Sequence, residues 1–424
     1  MHKLIIFLGT GQGELNPKHK GSYKVADYYF EHAIDKVYTT PYVGEAIIKA
    51  KPNEFDEVYI IGTKDSMWET LYFSAIEENP TDEETDNIYE MIDAKNAGGL
   101  SEAHFNIIEG KLTVLYGLKV KTCQTPVGLN SEEHWEIFRL LTEIPSDGDN
   151  ISLDITHSLR FQPFISQLAI SYLQTLKGVN IKNVFYGALE LRNTYFEGKT
   201  PIMNLNSLVS MLDWTNAAFA LSRYGDTSVF NELLDNELQK EFLKRSKYFY
   251  TVLQLNMVAS IKSNAERFLK STEKIDVEKL NSKAFALIKD TITDLPKTIL
   301  SKEKEWHVLF ELAERHWKNS QYGLAILSAY ESIIERLANI YKVDARNNID
   351  IYKELGKIAK KKRGFGDIAV KMAKFRNAVA HAETEKATEP NHVLENFEHF
   401  FNELKSRIDS TELENLPKYY KVTQ

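Results

Sequence analysis

Apolar positions in the first 200 residues come in short continuous runs separated by longer amphipathic stretches. Leu4-Ile5-Ile6-Phe7-Leu8 and Val58-Tyr59-Ile60-Ile61-Gly62 are almost wholly apolar, the pattern of strands covered on both faces within a parallel sheet. Residues 112–118, 151–155 and 184–189 predict three further strands, and the periodicity of residues 161–176 predicts a helix between two of them. Strand–helix alternation of this kind predicts an α/β, Rossmann-like, doubly wound parallel sheet over residues 1–204. Residues 77–86 interrupt the pattern with six carboxylates and no cation. They read as a solvated loop, because unpaired like charges repel and extend the chain.

Beyond about residue 205 the strand signals stop and helical periodicity takes over. Residues 208–224 are amphipathic and precede Gly225, a natural residue to follow a helix end. Residues 231–271 contain neither Pro nor Gly and read as helical, whereas Asp294-Leu295-Pro296 reads as a break. Helices are expected over 306–317, 322–341 and 367–381, the last after a Gly364-Phe365-Gly366 turn. The second carries Tyr322, Ile326, Ala329, Ile333, Leu337 and Ile340 on one stripe. Residues 205–424 are therefore expected to be all-α. No internal repeat is visible.

Composition narrows the class. The chain has 424 residues, 52 Lys and Arg against 60 Asp and Glu, and a net charge of −8; 43% hydrophobic and 26% charged residues are those of a soluble globular protein. One cysteine, Cys123, excludes an intrachain disulfide and a Cys-rich zinc site. The five-residue apolar run near the N-terminus is too short for a signal peptide or a membrane span, so a cytoplasmic protein without a membrane partner is expected. The acidic balance argues against coating bulk nucleic acid but leaves room for a local basic site.

Three polar loops follow predicted strands. Gly9-Thr10-Gly11-Gln12-Gly13 has the freedom to bring backbone N–H groups against phosphate, but it lacks the G-x-G-x-x-G spacing, and a tight turn after a buried strand explains it equally well. Thr63-Lys64-Asp65-Ser66-Met67-Trp68 is the second loop. Asp154-Ile155-Thr156-His157-Ser158-Leu159-Arg160 lies where a strand passes into a helix, the place where ligands bind in open α/β sheets. Its hydroxyls, imidazole and guanidinium suit a phosphodiester or a base edge, and they suit an ordinary helix cap as well.

The fourth constellation is Arg376-Asn377-Ala378-Val379-Ala380-His381. An imidazole that moves protons and a guanidinium that steadies phosphorane charge suffice for RNA cleavage by the substrate's own 2′-OH, with no metal. Five helical positions turn by about 140°, so Arg376 and His381 do not share a face, whereas Asn377 and His381 do. Either Arg376 reaches round or a second protomer completes the site. Residues 353–376 hold nine cations against Glu354 and Asp367, a basic patch in an acidic protein. Spacing alone favours a solvated helix face with an ordinary Arg and His, since such pairs occur by chance.

Taken together these motifs resemble the CARF–HEPN ribonucleases, ancillary effectors of type III CRISPR systems. CARF is the CRISPR-associated Rossmann-fold sensor domain, and HEPN is the higher eukaryotes and prokaryotes nucleotide-binding helical domain. The resemblance rests on the Phe7-Leu8-Gly9-Thr10-Gly11 turn, the Gly62–Trp68 and Asp154–Arg160 loops, Trp317–Tyr322 leading into Ala329-Tyr330-Glu331, and Arg376 to His381, which fits the R-x4–6-H pattern. It implies a CARF domain over 1–204 that binds a cyclic oligoadenylate activator across a homodimer, or a higher homo-oligomer, and a HEPN domain within 205–424 that cleaves single-stranded RNA. Cyclic tetra-adenylate is the expected ring and cyclic hexa-adenylate the alternative. Cleavage would need no metal and leave 2′,3′-cyclic phosphate and 5′-OH ends, and no cofactor is expected. Arg376 and His381 then form the catalytic pair, with Asn377 in support. Gly9, Thr10, Gly11, Thr63, Ser66, Thr156, His157, Ser158 and Arg160 are the candidates for the activator pocket. A non-catalytic cyclic-nucleotide-sensing module is the competing reading. A nicotinamide-dependent oxidoreductase is disfavoured by the missing G-x-G-x-x-G spacing.

Overall fold

The computed structural model describes residues 1–11, 25–76, 79–231, 233, 237–275, 283–361, 365–381 and 390–415. The chain divides into two compact units, Met1–Leu212 and Asp213–Gln424.

Eight strands form one sheet in the first unit: β1 (His2–Leu8), β2 (Ala26–Phe30), β3 (Ala33–Thr40), β4 (Glu57–Thr63), β5 (Lys119–Thr125), β6 (Asn150–Asp154), β7 (Asn180–Gly187) and β8 (Thr200–Asn204), in the order β3-β2-β8-β7-β6-β1-β4-β5. The block β7-β6-β1-β4-β5 is parallel throughout. Seven helices lie among the strands: α1 (Val43–Ala50), α2 (Trp68–Ser74), α3 (Asp82–Asn96), α4 (Glu102–Tyr116), α5 (Ser131–Glu143), α6 (Gln162–Lys177) and the single turn α7 (Arg192–Tyr195); α8 (Asn206–Tyr224) follows the last strand. Strand alternation splits the hydrophobic core in two. Leu4, Ile6, Leu8, Val58 and Ile60 pack in one cluster with residues of α1 to α4. Ile5, Phe7, Tyr59 and Ile61 pack in the other with residues of α5 and α6. This is the doubly wound, three-layer arrangement that the apolar runs of β1 and β4 require.

Three expectations for this unit need correction. The sheet is mixed rather than parallel: β3 runs antiparallel to β2, and β8 antiparallel to β7. The strand expected at 112–118 is not there. Its apolar residues finish α4, where Ile108 and Leu112 point one turn apart into the core, and Gly117 ends the helix at φ 63°. The real strand is β5, an edge strand of mostly polar residues that the apolar pattern cannot reveal. The acidic stretch is not all loop. Thr81 and Glu84 form a reciprocal capping box that opens α3, and Asp82, Glu83 and Glu84 occupy its first turn, where the helix dipole favours carboxylates; Glu77 and Glu78 lie outside the described residues.

The second unit carries α9 (Glu237–Gln254), α10 (Ile261–Glu273), α11 (Lys283–Ser301), α12 (Glu305–Lys318), α13 (Tyr322–Tyr341), α14 (Ile349–Ala359), α15 (Asp367–His381) and α16 (Pro390–Arg407). The helical stretch expected over 231–271 breaks after Gln254, where Asn256 takes a left-handed φ of 51° before a 3-10 turn at Val258–Ser260. Conversely, α11 runs straight through Pro296. Ile292, Leu295 and Ile299 are buried around it, and that packing outweighs the cost of a helical proline, about 3 kcal/mol. An aromatic core of Trp214, Phe242, Phe249, Phe268 and Phe285 serves α8 to α11, and a second core serves α12 to α16. On α13 the expected stripe holds at Ile326, Ala329, Ile333 and Leu337, all essentially inaccessible, while Tyr322 at the start of the helix is 38% exposed.

Candidate functional site

The C-terminal ends of β6, β1 and β4 are consecutive in the sheet, so three loops meet at one edge. β1 leads on to β4 and β5 on one side, while β6 and β7 lie on its other side, so the edge between β1 and β6 is a topological switch point. The loops are tied to one another through the backbone. Met67 N–H donates to Gly9 carbonyl at 3.0 Å, and Ser66 Oγ donates to Leu8 carbonyl at 2.7 Å. Gly11 sits at φ 66°, and a Cβ there would lie 2.6 Å from Met67 Cγ, so the turn over the second loop needs a glycine.

Most of the hydroxyls expected in the pocket are used internally. Thr63 and Ser66 are buried; Ser66 Oγ accepts from Thr63 N–H at 2.9 Å, and Thr63 Oγ1 accepts from Asp65 N–H at 3.2 Å. Thr156 Oγ1 donates to Asp154 Oδ1 at 2.5 Å and accepts from Gly187 N–H at 2.8 Å, joining the ends of β6 and β7. Ser158 Oγ donates to Ile155 carbonyl at 2.6 Å. Burial pushes the His157 imidazole down to about 4, so it is neutral at physiological pH, and its ring packs edge-on to Tyr42 at 6.3 Å. Burial pushes the fully enclosed Asp154 carboxyl up to about 6 against two opposing hydrogen bonds from Thr156. Thr10, Lys64, Asp65 and Arg160 are exposed at this edge, and neither cation has an ion-pair partner among the described residues. Lys64 was not singled out from the sequence; its position directly after a buried strand, beside Thr63, was the available signal.

In the second unit, α15 buries Ile368, Ala369, Met372 and Phe375 in a core that it shares with α13. Arg376, the next residue, comes out at the border of that face and is half-buried. Its Nη1 donates to Asn377 Oδ1 at 3.3 Å, while its Nε is buried and has no hydrogen-bond partner among the described residues. It lines an open pocket of about 740 Å3 with Glu331, Tyr352, Arg346 and the 256–260 segment. Tyr352 hydroxyl donates to Glu331 Oε1 at 2.6 Å. Burial raises the Glu331 carboxyl, opposed by the Tyr352 hydrogen bond and by the nearby Arg376 guanidinium. Arg346 Nε donates to Glu335 Oε1 at 2.6 Å, whereas Arg376 has no ion-pair partner among the described residues. His381 is the last residue of α15, and its side chain lies outside the described residues. Of the basic patch, Lys353, Lys360 and Lys374 are exposed, Lys357 pairs with Glu354 at 2.6 Å, and Lys362 and Arg363 lie outside the described residues. Glu331 and Tyr352, 21 positions apart, were not joined by any sequence pattern.

Two comparisons with known proteins bear on this geometry. Residues 4–190 match the family described as the CARF domain of the CRISPR system endoribonuclease Csx1, and residues 210–302 match the second domain of the CRISPR-associated protein MJ1674. The chain is also similar to the CRISPR-associated protein MJ1674 of Methanocaldococcus jannaschii, with 26% identity over 452 aligned residues that cover 99% of this chain and 67% of that protein. The N-terminal unit thus carries a CARF domain on an eight-stranded mixed sheet, followed by a helical region, and the matches support a Csx1-like, CRISPR-associated protein. No helix among the described residues is long and apolar enough to cross a membrane.

Proposed function

We propose that this CARF-bearing chain is a cyclic oligoadenylate-gated, metal-independent endoribonuclease of type III CRISPR defence. The activator, with cyclic tetra-adenylate as the ring of choice, lies along the β6-β1-β4 edge of the first unit. Its phosphates meet Arg160 and Lys64 and the N-terminal end of α6, where the helix dipole favours anions. Thr10 and the backbone of Gly9 and Gly11 supply close polar contacts. Thr63, Ser66, Thr156 and Ser158 hold the loops in shape around it, and neutral His157 offers a ring edge for an adenine.

In the second unit the 2′-OH of single-stranded RNA attacks the adjacent phosphorus and the P–O5′ bond breaks, leaving a 2′,3′-cyclic phosphate and a 5′-OH. His381 moves the protons. Arg376 stabilises the charge that builds on the non-bridging oxygens, and Asn377, which already accepts a hydrogen bond from Arg376, links the two groups. The observation that carries this reading is the half-buried Arg376 guanidinium in the wall of an open pocket, with a buried Nε that has no hydrogen-bond partner among the described residues. A guanidinium so placed is pre-aligned for phosphate and pays little reorganisation.

The paired state is supported by an exposed apolar groove of about 750 Å3 along α5 and α6, with Trp135 at 68%, Phe164 at 71% and Leu176 at 68% exposure.

The test is RNA cleavage in EDTA with and without cyclic tetra-adenylate. Activator-dependent cleavage that is abolished in His381→Ala and Arg376→Ala, with activator affinity retained in both, is expected. Full cleavage by His381→Ala overturns the assignment.

A further inference from the structure

α9 from Lys240 to Gln254, the end of α8 and the turn that follows it enclose an open groove of about 640 Å3 that no step above uses. Lys247 and Tyr248 lie three and four positions after Lys244, and Thr251 lies four and three positions after them, so a single face of α9 presents two cations and an aromatic ring. Lys244 and Lys247 are exposed and have no ion-pair partner among the described residues, whereas their neighbours Glu241 and Arg245 are paired with each other at 2.6 Å. Across the groove stands Tyr224, 51% exposed; Tyr248 is 48% exposed. The floor is a close approach of main chain to ring. Gly225 adopts φ 71°, and a Cβ on it would come within 2.7 Å of Tyr250 Cδ1. Gln254 Nε2 donates to Tyr224 carbonyl at 3.3 Å and fixes the two walls together. The carboxylate that lines the groove, Asp226, accepts from Ser228 N–H and Oγ and is thereby committed to its own turn.

In a chain of net charge −8, a groove with unpaired lysines, two solvent-facing tyrosines and one committed carboxylate is selective for a polyanion that also carries flat apolar faces. We infer that it is a second contact site for single-stranded RNA, which pairs phosphates with Lys244 and Lys247 and stacks bases on Tyr224 and Tyr248. The choice of RNA rests on the cleavage reading above; the geometry adds where substrate is held apart from the reacting phosphate. Stacking on tyrosine is tolerant of sequence because every base has a π-face, so the groove adds affinity for length rather than for a motif.

The experiment measures anisotropy of a labelled 20-nucleotide RNA on the full-length Arg376→Ala chain, which keeps the RNA intact, across a salt titration. Lys244→Gln/Lys247→Gln is expected to lower the slope of log K against log salt by about 1.4, two phosphates at about 0.7 each for single strands, and to weaken binding more than tenfold at low salt. Tyr248→Ala is expected to weaken binding about tenfold with the salt slope unchanged. Unaltered affinity and slope in the double lysine variant overturn the inference. So does displacement of the RNA by an acidic polyglutamate peptide at lower charge concentration than by unlabelled RNA, which would assign the groove to a protein partner. The two readings fail separately. RNA bound through the groove but never cut by the wild-type chain removes the nuclease and leaves the groove. Cutting by the double lysine variant with wild-type KM removes the groove and leaves the nuclease.

Discussion

Asp154→Asn is expected to stabilise the first unit at neutral pH and to do nothing in acid. Asp154 is fully buried at the end of β6, accepts two hydrogen bonds from Thr156 through Oδ1, and has no partner for Oδ2 among the described residues. Its carboxyl titrates at about 6 in the folded chain against an ordinary 3.8. Between those values the native state holds more protons than the unfolded one, so the site loses stability as pH rises and the loss is complete above pH 6 to 7. A gap of about two pH units is worth about 3 kcal/mol at roughly 1.4 kcal/mol each. Asparagine copies the protonated acid: Oδ1 still accepts from Thr156, and an N–H takes the place of the O–H beside the same unpartnered position. The variant should therefore equal wild type near pH 4 and exceed it by about 3 kcal/mol at pH 7.5, or roughly 6–12 °C in melting temperature for a unit of this size. The wild-type profile alone hides the effect. His157, depressed to about 4 from 6.5, contributes stability above pH 6.5 that is lost as pH falls through 4, opposite in sign over the same window. Denaturant melts of both proteins at intervals from pH 4 to 7.5 give the difference directly. A difference independent of pH, or a wild type more stable than the variant at pH 7.5, refutes the argument.

Tyr352→Phe removes the hydroxyl that donates to Glu331 Oε1, so a loss of about 1–3 kcal/mol is expected. The loss should be larger at pH 8 than at pH 5, because Glu331 is then ionised without that donor; chemical denaturation at the two pH values reads it, and an equal loss at both argues against the pairing. Phe164→Glu with Leu168→Glu places charge in the apolar groove of α5 and α6, where the two native residues are 71% and 49% exposed; sedimentation should show a monomer, and an unchanged dimer removes that face from the pairing surface.

Legibility from sequence followed the physics of burial. β1 and β4 lie inside the sheet with partners on both sides and helices on both faces, so nearly every residue must be apolar and the run announces itself. The exposed β3 and the edge strand β5 need no such run, and β8 is only five residues long. Helix α13 was legible because Ile326, Ala329, Ile333 and Leu337 form one buried stripe through its middle. Pro296 misled because local propensity was outweighed by packing that only the folded unit supplies. At the candidate sites, residue types at fixed spacing on one helix, Arg376 and Asn377, could be read. Which hydroxyls remain free could not, since Ser66 is committed to Leu8, 58 positions away, and Thr156 to Gly187, 31 positions away.

That commitment changes how mutations at the sheet edge should be read. Thr156 joins a buried carboxylate to the end of the neighbouring strand, so loss of its hydroxyl frees Gly187 N–H and removes one of the two hydrogen bonds to Asp154, leaving the one from the Thr156 backbone N–H. A ligand-binding defect in such a variant reports a loop that has lost its shape, not a contact made by the hydroxyl. Arg160 and Lys64 are the opposite case: exposed and without an ion-pair partner among the described residues, so their removal is expected to leave the loops intact and to subtract only charge offered to the ligand. A charge-only loss must weaken with salt, because exposed charges separated by more than about 8–10 Å are screened at ordinary ionic strength, whereas a loss of loop shape must persist at any salt. The two classes of residue at one edge are thus separable by ionic strength alone.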